Sequence, residues 1–270
     1  MIGIFDSGLG GLTIFKEIEK RLPQYDYIYL GDNARAPYGD HSKETILQYA
    51  QEAVAYLFGQ GCILVLLACN TASAEALRKL QQEWLPKNFR DRNLLGVIRP
   101  LAEEAAGATK KKAIGVLGTR STIASHAYRR EITKLDKNIV VIEQACRLLV
   151  PLIEEGFEGR PELRMILKRY VRPVKHHNVD TVILGCTHYG IIADAMKRYF
   201  GKNVRVLDSG QIVAEKFADY LQRHPEYEQK LARNGMRSFV MTEQTDTVDL
   251  LVKKFFGRSV VVKRATLPRA

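Results

Sequence analysis

Short apolar runs alternate along this chain with amphipathic stretches of helical period, and that alternation restricts the possible folds more than any other feature. It is the pattern of repeated βαβ units, in which parallel strands are covered by the helices that connect them. Strands are predicted at Ile2–Phe5, Tyr27–Leu30, Ile63–Ala68, Leu94–Ile98, Ala113–Leu117, Val140–Glu143, Thr181–Leu184, Val204–Leu207, Ser238–Met241 and Val260–Lys263. Helices are predicted at Leu12–Arg21, Lys43–Gln60, Ser73–Trp84, Ser125–Leu135, Arg164–His176, Ile191–Phe200 and Gln211–Arg223. The fold class is α/β with mainly parallel sheets.

A faint internal repeat divides the chain. Ile2-Gly3-Ile4-Phe5 running into Asp6-Ser7-Gly8 corresponds to Ile114-Gly115-Val116-Leu117 running into Gly118-Thr119, a step of 112 residues from Ile2 to Ile114. Ile63–Ala68 running into Cys69-Asn70-Thr71 corresponds to Thr181–Gly185 running into Cys186-Thr187-His188, a step of 117 residues from Cys69 to Cys186. Two correspondences at nearly equal offset predict two pseudosymmetric α/β halves with a site in the cleft between them. At 270 residues the chain is at the size where single cores begin to split. The expected division is a first domain of residues 1–97 and 208–270 and a second of residues 98–207, with the polar stretch Gly107–Lys112 leading into the second set of strands. The return is suggested by Val206–Gly210, whose Asp-Ser-Gly echoes the opening Asp6-Ser7-Gly8.

Composition excludes several classes. The start, Met1–Asp6, carries no basic leader, and no apolar run reaches membrane-spanning length, so a cytoplasmic protein without membrane contact is expected. The cysteines, Cys62, Cys69, Cys146 and Cys186, form no CxxC pair, which argues against a zinc ribbon or a disulfide framework; no metal is expected. The formal charge of +11 raises nucleic acid as a partner. Its distribution lowers that reading: Lys110-Lys111-Lys112 and the cations of Leu251–Ala270, from Lys253 to Arg269, read as solvated edges of elements, and no nucleic-acid partner is expected.

In open α/β sheets ligands collect at the carboxyl ends of strands, where the following helices offer unpaired N–H groups. The polar motifs of this chain fall at such ends. Asp6–Gly11 is a glycine-rich turn without the GxGxxG spacing of a dinucleotide site, and alone it reads equally well as a capped turn. Gly31–Gly39 is a polar loop bent by Pro37 and Gly39, with Tyr38 available to hydrogen-bond. Cys69 and Cys186 are more specific. Either alone would read as packing, but two cysteines, each followed by a threonine in matched strand-end contexts, make that reading weak. A thiol and a thiolate can coexist near neutrality, so a facing pair can remove a proton from one side of a tetrahedral carbon and supply one to the other. Asp6 and His188 stand in sequence where each could exchange protons with a cysteine. Cys62, at the start of a predicted strand, and Cys146, in a predicted helical stretch, are read as packing residues.

The motifs Asp6–Gly11 (DSGLGG), Gly31–Gly39 (GDNARAPYG), Ala68–Ser73 (ACNTAS), Gly115–Ile123 (GVLGTRSTI) and Leu184–Gly190 (LGCTHYG), in this order, resemble the glutamate racemases of the cofactor-independent aspartate/glutamate racemase family. The resemblance spans nearly the whole chain. It implies interconversion of L- and D-glutamate without pyridoxal phosphate or any other cofactor, a homodimer, and supply of D-glutamate for peptidoglycan. It also implies that Cys69 and Cys186 are the acid/base pair, Cys69 acting on D-glutamate and Cys186 on L-glutamate, with Asp6 and His188 assisting. Implied substrate contacts are Asp6, Ser7, Pro37, Tyr38, Gly39, Asn70, Thr71, Thr119, Thr122, Thr187 and His188, with Asp32 and Glu154 in support. The chain departs from the usual pattern at Gly190, where proline is common, at Arg147 after Cys146, and at Arg99 before Pro100. Two other functions stay open: aspartate racemisation by the same chemistry, and a non-catalytic basic binding protein.

Overall fold

The computed structural model describes residues Met1–Pro268; Arg269, the last cation of the basic C-terminal segment, lies outside them. Among the described residues there are ten strands in two sheets, and every pairing is parallel. The first sheet has the order β10-β9-β2-β1-β3-β4, formed by β1 (Ile2–Asp6), β2 (Tyr27–Gly31), β3 (Leu64–Leu67), β4 (Asn93–Gly96), β9 (Arg237–Met241) and β10 (Val262–Arg264). The second has the order β6-β5-β7-β8, formed by β5 (Ala113–Gly118), β6 (Val140–Ala145), β7 (Thr181–Gly185) and β8 (Arg205–Leu207). The strands β2-β1-β3-β4 and β6-β5-β7-β8 follow the same topological order, so the internal repeat of the sequence is a repeat of architecture. β9 and β10 extend the first copy only.

The central strands β1, β2, β3 and β7 are buried along their whole length because helices cover both sheet faces. Helix α1 (Leu12–Arg21) turns Leu12, Ile14, Phe15 and Ile18 inward, and Phe15 packs among Tyr27, Tyr29, Phe239 and Phe256. Helix α2 (Lys43–Gly59) starts at Ser42, whose hydroxyl accepts from the Thr45 N–H at 3.2 Å. The strand order reverses between β1 and β3 in one sheet and between β5 and β7 in the other, and at such a switch point the carboxyl ends open a crevice. The register puts Phe5 opposite Leu67 and Gly118 opposite Gly185, so the next turns carry Ser7 toward Cys69 and Thr119 toward Cys186.

Several local expectations are corrected. The predicted strand Leu94–Ile98 ends at Gly96, and Ile98–Ala108 is a helix on the second half of the molecule. Pro100 is in its first turn, where the missing N–H leaves no intrahelical bond unmade. The predicted helix Ser73–Trp84 begins earlier, as α3 (Asn70–Glu75), breaks at Ala76 and passes through a wider π-helical stretch at Leu80–Trp84. A further helix, Asp246–Phe256, occupies part of the basic C-terminal segment, capped by Thr245 and stopped by Gly257 at φ 89°. Cys62 precedes β3 instead of starting it, and Cys146 follows β6 instead of lying in a helix; both are buried free thiols.

Candidate active site

A cavity of about 280 Å³ lies at the carboxyl ends of both sheets and contains both strand-end cysteines. Cys69 is the cap residue of α3, its sulfur accepting from the Ala72 N–H at 3.4 Å and lying 3.2 Å from the Ser7 hydroxyl. Burial, and then the charge of Asp6, push the Cys69 thiol up to about 12, although contacts with Ser7 and Ala72 favour its anion. This sulfur is held as a thiol at neutral pH. Asp6 lies beneath the turn, accepting from the Gly8 N–H at 3.0 Å and from the Thr187 hydroxyl of the other half at 3.4 Å. Burial raises its carboxyl above the usual range, while the charge of His188 and the N–H groups of Gly11 and Gly8 oppose that shift.

Cys186 follows β7 directly, and its sulfur is 3.9 Å from His188 Nδ1; the other ring nitrogen is 2.8 Å from Glu154 Oε1. Burial alone would lower the His188 pKa, but its contacts with Cys186 and Glu154 outweigh it and hold the imidazole up to about 10. At neutral pH His188 is a cation beside the second sulfur. Phe255 meets its ring edge-on at 5.0 Å. Gly10 permits this packing: a Cβ there would lie 2.8 Å from His188 Cε1 and closer still to the Thr187 hydroxyl.

The remaining lining supplies donors without positive charge. Thr71 and Thr119, from opposite halves, join their hydroxyls at 2.9 Å. Pro37, Tyr38 and Gly39 reach the cavity from the loop after β2. That loop is anchored by the buried Asp32 carboxylate, which accepts from Arg35 Nε at 2.7 Å, from the Tyr38 hydroxyl at 2.5 Å and from Thr242 at 3.0 Å. Among the described residues no lysine or arginine lines the cavity. The carboxylates of an acidic ligand would therefore meet hydroxyl, amide and N–H dipoles and the imidazolium of His188, while Glu154 and Glu243 are the lining groups suited to an ammonium.

Of the residues proposed from the sequence, Ser7, Pro37, Tyr38, Gly39, Cys69, Asn70, Thr71, Thr119, Cys186, Thr187 and His188 line this one cavity. Asp6 and Thr122 do not. Asp6 is one layer below, and Thr122 stands behind the front threonines, its hydroxyl 2.9 Å from Thr119 and 3.3 Å from Thr71. Sequence reasoning missed the apolar lining of Leu9, Val150, Val248 and Leu251, and the polar Asn33 and Glu243. Glu154, expected only in support, lines the cavity directly. A larger groove of about 820 Å³ lies elsewhere, lined in part by Arg78, Arg99, Arg130, Lys134, Lys216 and Arg223, and contains neither Cys69 nor Cys186. Among the described residues no cluster of three His, Cys, Asp or Glu side chains is arranged to hold a metal ion, and no helix is long and apolar enough to cross a membrane.

The family model described as Asp/Glu/Hydantoin racemase matches residues 8–217. A glutamate racemase of Persephonella marina is 37% identical over 268 residues, covering 99% of this chain and 98% of its own. The crystal structure of a glutamate racemase isoform from Bacillus anthracis superposes with a TM-score of 0.91 at 32% identity, covering 100% of this chain and 98% of that one. That of a Francisella tularensis glutamate racemase in complex with D-glutamate superposes with a TM-score of 0.88 at 30% identity, covering 98% and 97%.

Proposed function

Since the chain belongs to the Asp/Glu/Hydantoin racemase family, we propose that it interconverts L- and D-glutamate with Cys69 and Cys186 as opposed acid and base and with no cofactor. The observation that carries this reading is the meeting of both cysteines in one cavity from corresponding strand ends of the repeat.

The α-hydrogen of an amino acid is very weakly acidic, so the site has to stabilise a carbanion beside a carboxylate. With L-glutamate bound, the sulfur of Cys186 takes the α-proton, and the electron pair left on the carbon spreads into the α-carboxylate. The Cys69 thiol then gives its proton to the opposite face. D-Glutamate is formed, Cys186 has become the thiol and Cys69 the thiolate, and the reverse reaction starts from that state. Thr71, Thr119 and Thr187 offer fixed donors to the carboxylate as its charge grows, in a cavity whose apolar side, Leu9, Val150, Val248 and Leu251, limits water. The asymmetry of the resting site fits this order: burial, with the charge of Asp6 second, keeps Cys69 protonated, and the cation of His188 stands beside Cys186.

The reading includes two domains, residues 1–97 with 208–270 and residues 98–207. In its support, Ile98, Leu101 and Ala105 pack with the second sheet, and the helix Ser209–Arg223 packs on α1. It also includes a cytoplasmic location, expected from the sequence, and, on family resemblance alone, a homodimer supplying D-glutamate for peptidoglycan.

Circular dichroism of purified protein with L-glutamate, D-glutamate and L-aspartate tests the reading, without pyridoxal phosphate and after dialysis against EDTA. Both glutamate enantiomers are expected to lose their signal, with aspartate turned over far more slowly. Equal efficiency with aspartate would move the substrate to that amino acid, and loss of activity on chelation would overturn the cofactor-free chemistry.

A further inference from the structure

Tyr128 belongs to none of the sequence motifs, yet it touches both cysteine-bearing strand ends. It lies in the first turn of the helix Ala127–Leu135 in the second half of the molecule and is only 1% exposed. Its hydroxyl crosses to the first half and donates to Asn70 Oδ1, the residue after Cys69, at 2.6 Å. Its ring rests on Gly185, the residue before Cys186; a Cβ at that glycine would stand 3.1 Å from Tyr128 Cε2. Asn70 is 2% exposed and lines the cavity, and its Nδ2 has no hydrogen-bond partner among the described residues. A buried donor left unpaired is rare unless a ligand or water completes it.

We infer that Tyr128 is a positioning residue for racemisation, fixing the Asn70 amide so that its oxygen is engaged and its Nδ2 donates to a carboxylate oxygen of the substrate. The orientation follows from the hydrogen-bond inventory. Turning the amide over would present its oxygen to a carboxylate and would leave the phenol O–H without an acceptor among the described residues. Burial holds the Tyr128 phenol well above its ordinary range, so it remains a donor wherever the protein is assayed. The inference rests on the glutamate reading of the cavity and adds to it a side chain that does not line the site.

The test is a kinetic cycle of Tyr128→Phe, Asn70→Ala and the double variant, with both glutamate enantiomers as substrates. The phenylalanine variant keeps the ring against Gly185 and removes only the hydroxyl. It should raise KM about tenfold for each enantiomer and change kcat much less, as loss of a ground-state contact does. In the Asn70→Ala background the same substitution should change KM less than twofold, because the group it positions is gone. Unchanged KM in Tyr128→Phe, a loss confined to kcat, or losses that multiply in the double variant would each overturn the positioning role in favour of plain packing. A wild-type protein that fails to racemise glutamate would overturn the underlying reading instead.

Discussion

Glu154 Oε1 lies 2.8 Å from one nitrogen of His188 while the other nitrogen faces the Cys186 sulfur at 3.9 Å, so a carboxylate, an imidazole and a thiol are joined at one strand end. The arrangement sets the pH behaviour of the site. His188 has its folded pKa raised to about 10 from an ordinary 6.5, because its contacts with Cys186 and Glu154 outweigh burial. A raised histidine contributes stability that is fully present below the unfolded value and is lost as pH rises through the folded value. The difference in unfolding temperature between wild type and His188→Asn should therefore be largest below about pH 6, shrink as the pH rises toward 10 and be lost above it. The wild-type profile of kcat/KM should show an alkaline limb near pH 10 that the variant lacks. A stability difference that does not vary with pH would contradict a charged His188.

Gly10→Ala probes how closely the two halves approach. The added methyl would overlap the Thr187 hydroxyl and the His188 ring, so one of them has to move. Overpacking of this kind costs about 1–3 kcal/mol, and displacement of His188 should lower kcat/KM more than tenfold. Gly107→Ala is the control: it lies in the helix Ile98–Ala108 with nothing within 4 Å of the added carbon and should be neutral or slightly stabilising. Wild-type kinetics in Gly10→Ala would refute the packing account of this turn.

The positive charge predicts little about nucleic acid. Lys112 pairs with Asp136, Lys254 with Glu158 and Arg258 with Glu19, so parts of the basic runs are neutralised locally. Titration with duplex DNA and with RNA at physiological ionic strength should show no submicromolar affinity. Tight binding that weakens steeply with salt would contradict this.

Each strand of the described residues has a counterpart in the sequence pattern, most plainly β1, β2, β3 and β7, where burial along the whole strand makes it an apolar run, and the repeat shows which strand ends correspond. The helices are less legible. At Ile98–Ala108 the apolar pair Val97-Ile98 prolongs a strand pattern and Pro100 looks like a break, although a proline in the first turn is harmless. At Asn70–Glu75 the cap is a cysteine whose sulfur accepts an N–H, outside the usual capping residues, so the start is read too late. The helix Asp246–Phe256 mixes Asp246, Asp249, Lys253 and Lys254 with the buried Val248, Val252 and Phe255, and its charge hides its period. In the candidate site, polar residues in motifs are legible because chemistry restricts their type. Leu9, Val150, Val248 and Leu251 are not, since an apolar wall accepts many residues. Tyr128 is invisible for a related reason: its partner is 58 positions away and only the fold brings them together.

Mirror-image substrates have equal free energy in water, so any active variant has to process both enantiomers with the same kcat/KM. Exchange without inversion escapes that constraint and reports each base separately. The most direct measurement is therefore α-deuterium exchange in D₂O by NMR, with optical rotation followed in parallel, for Cys69→Ala and Cys186→Ala. Each variant should lose net inversion and keep at most slow exchange on one enantiomer: L-glutamate for Cys69→Ala, which retains the Cys186 base, and D-glutamate for Cys186→Ala. Racemisation near the wild-type rate by either variant would contradict the two-cysteine account.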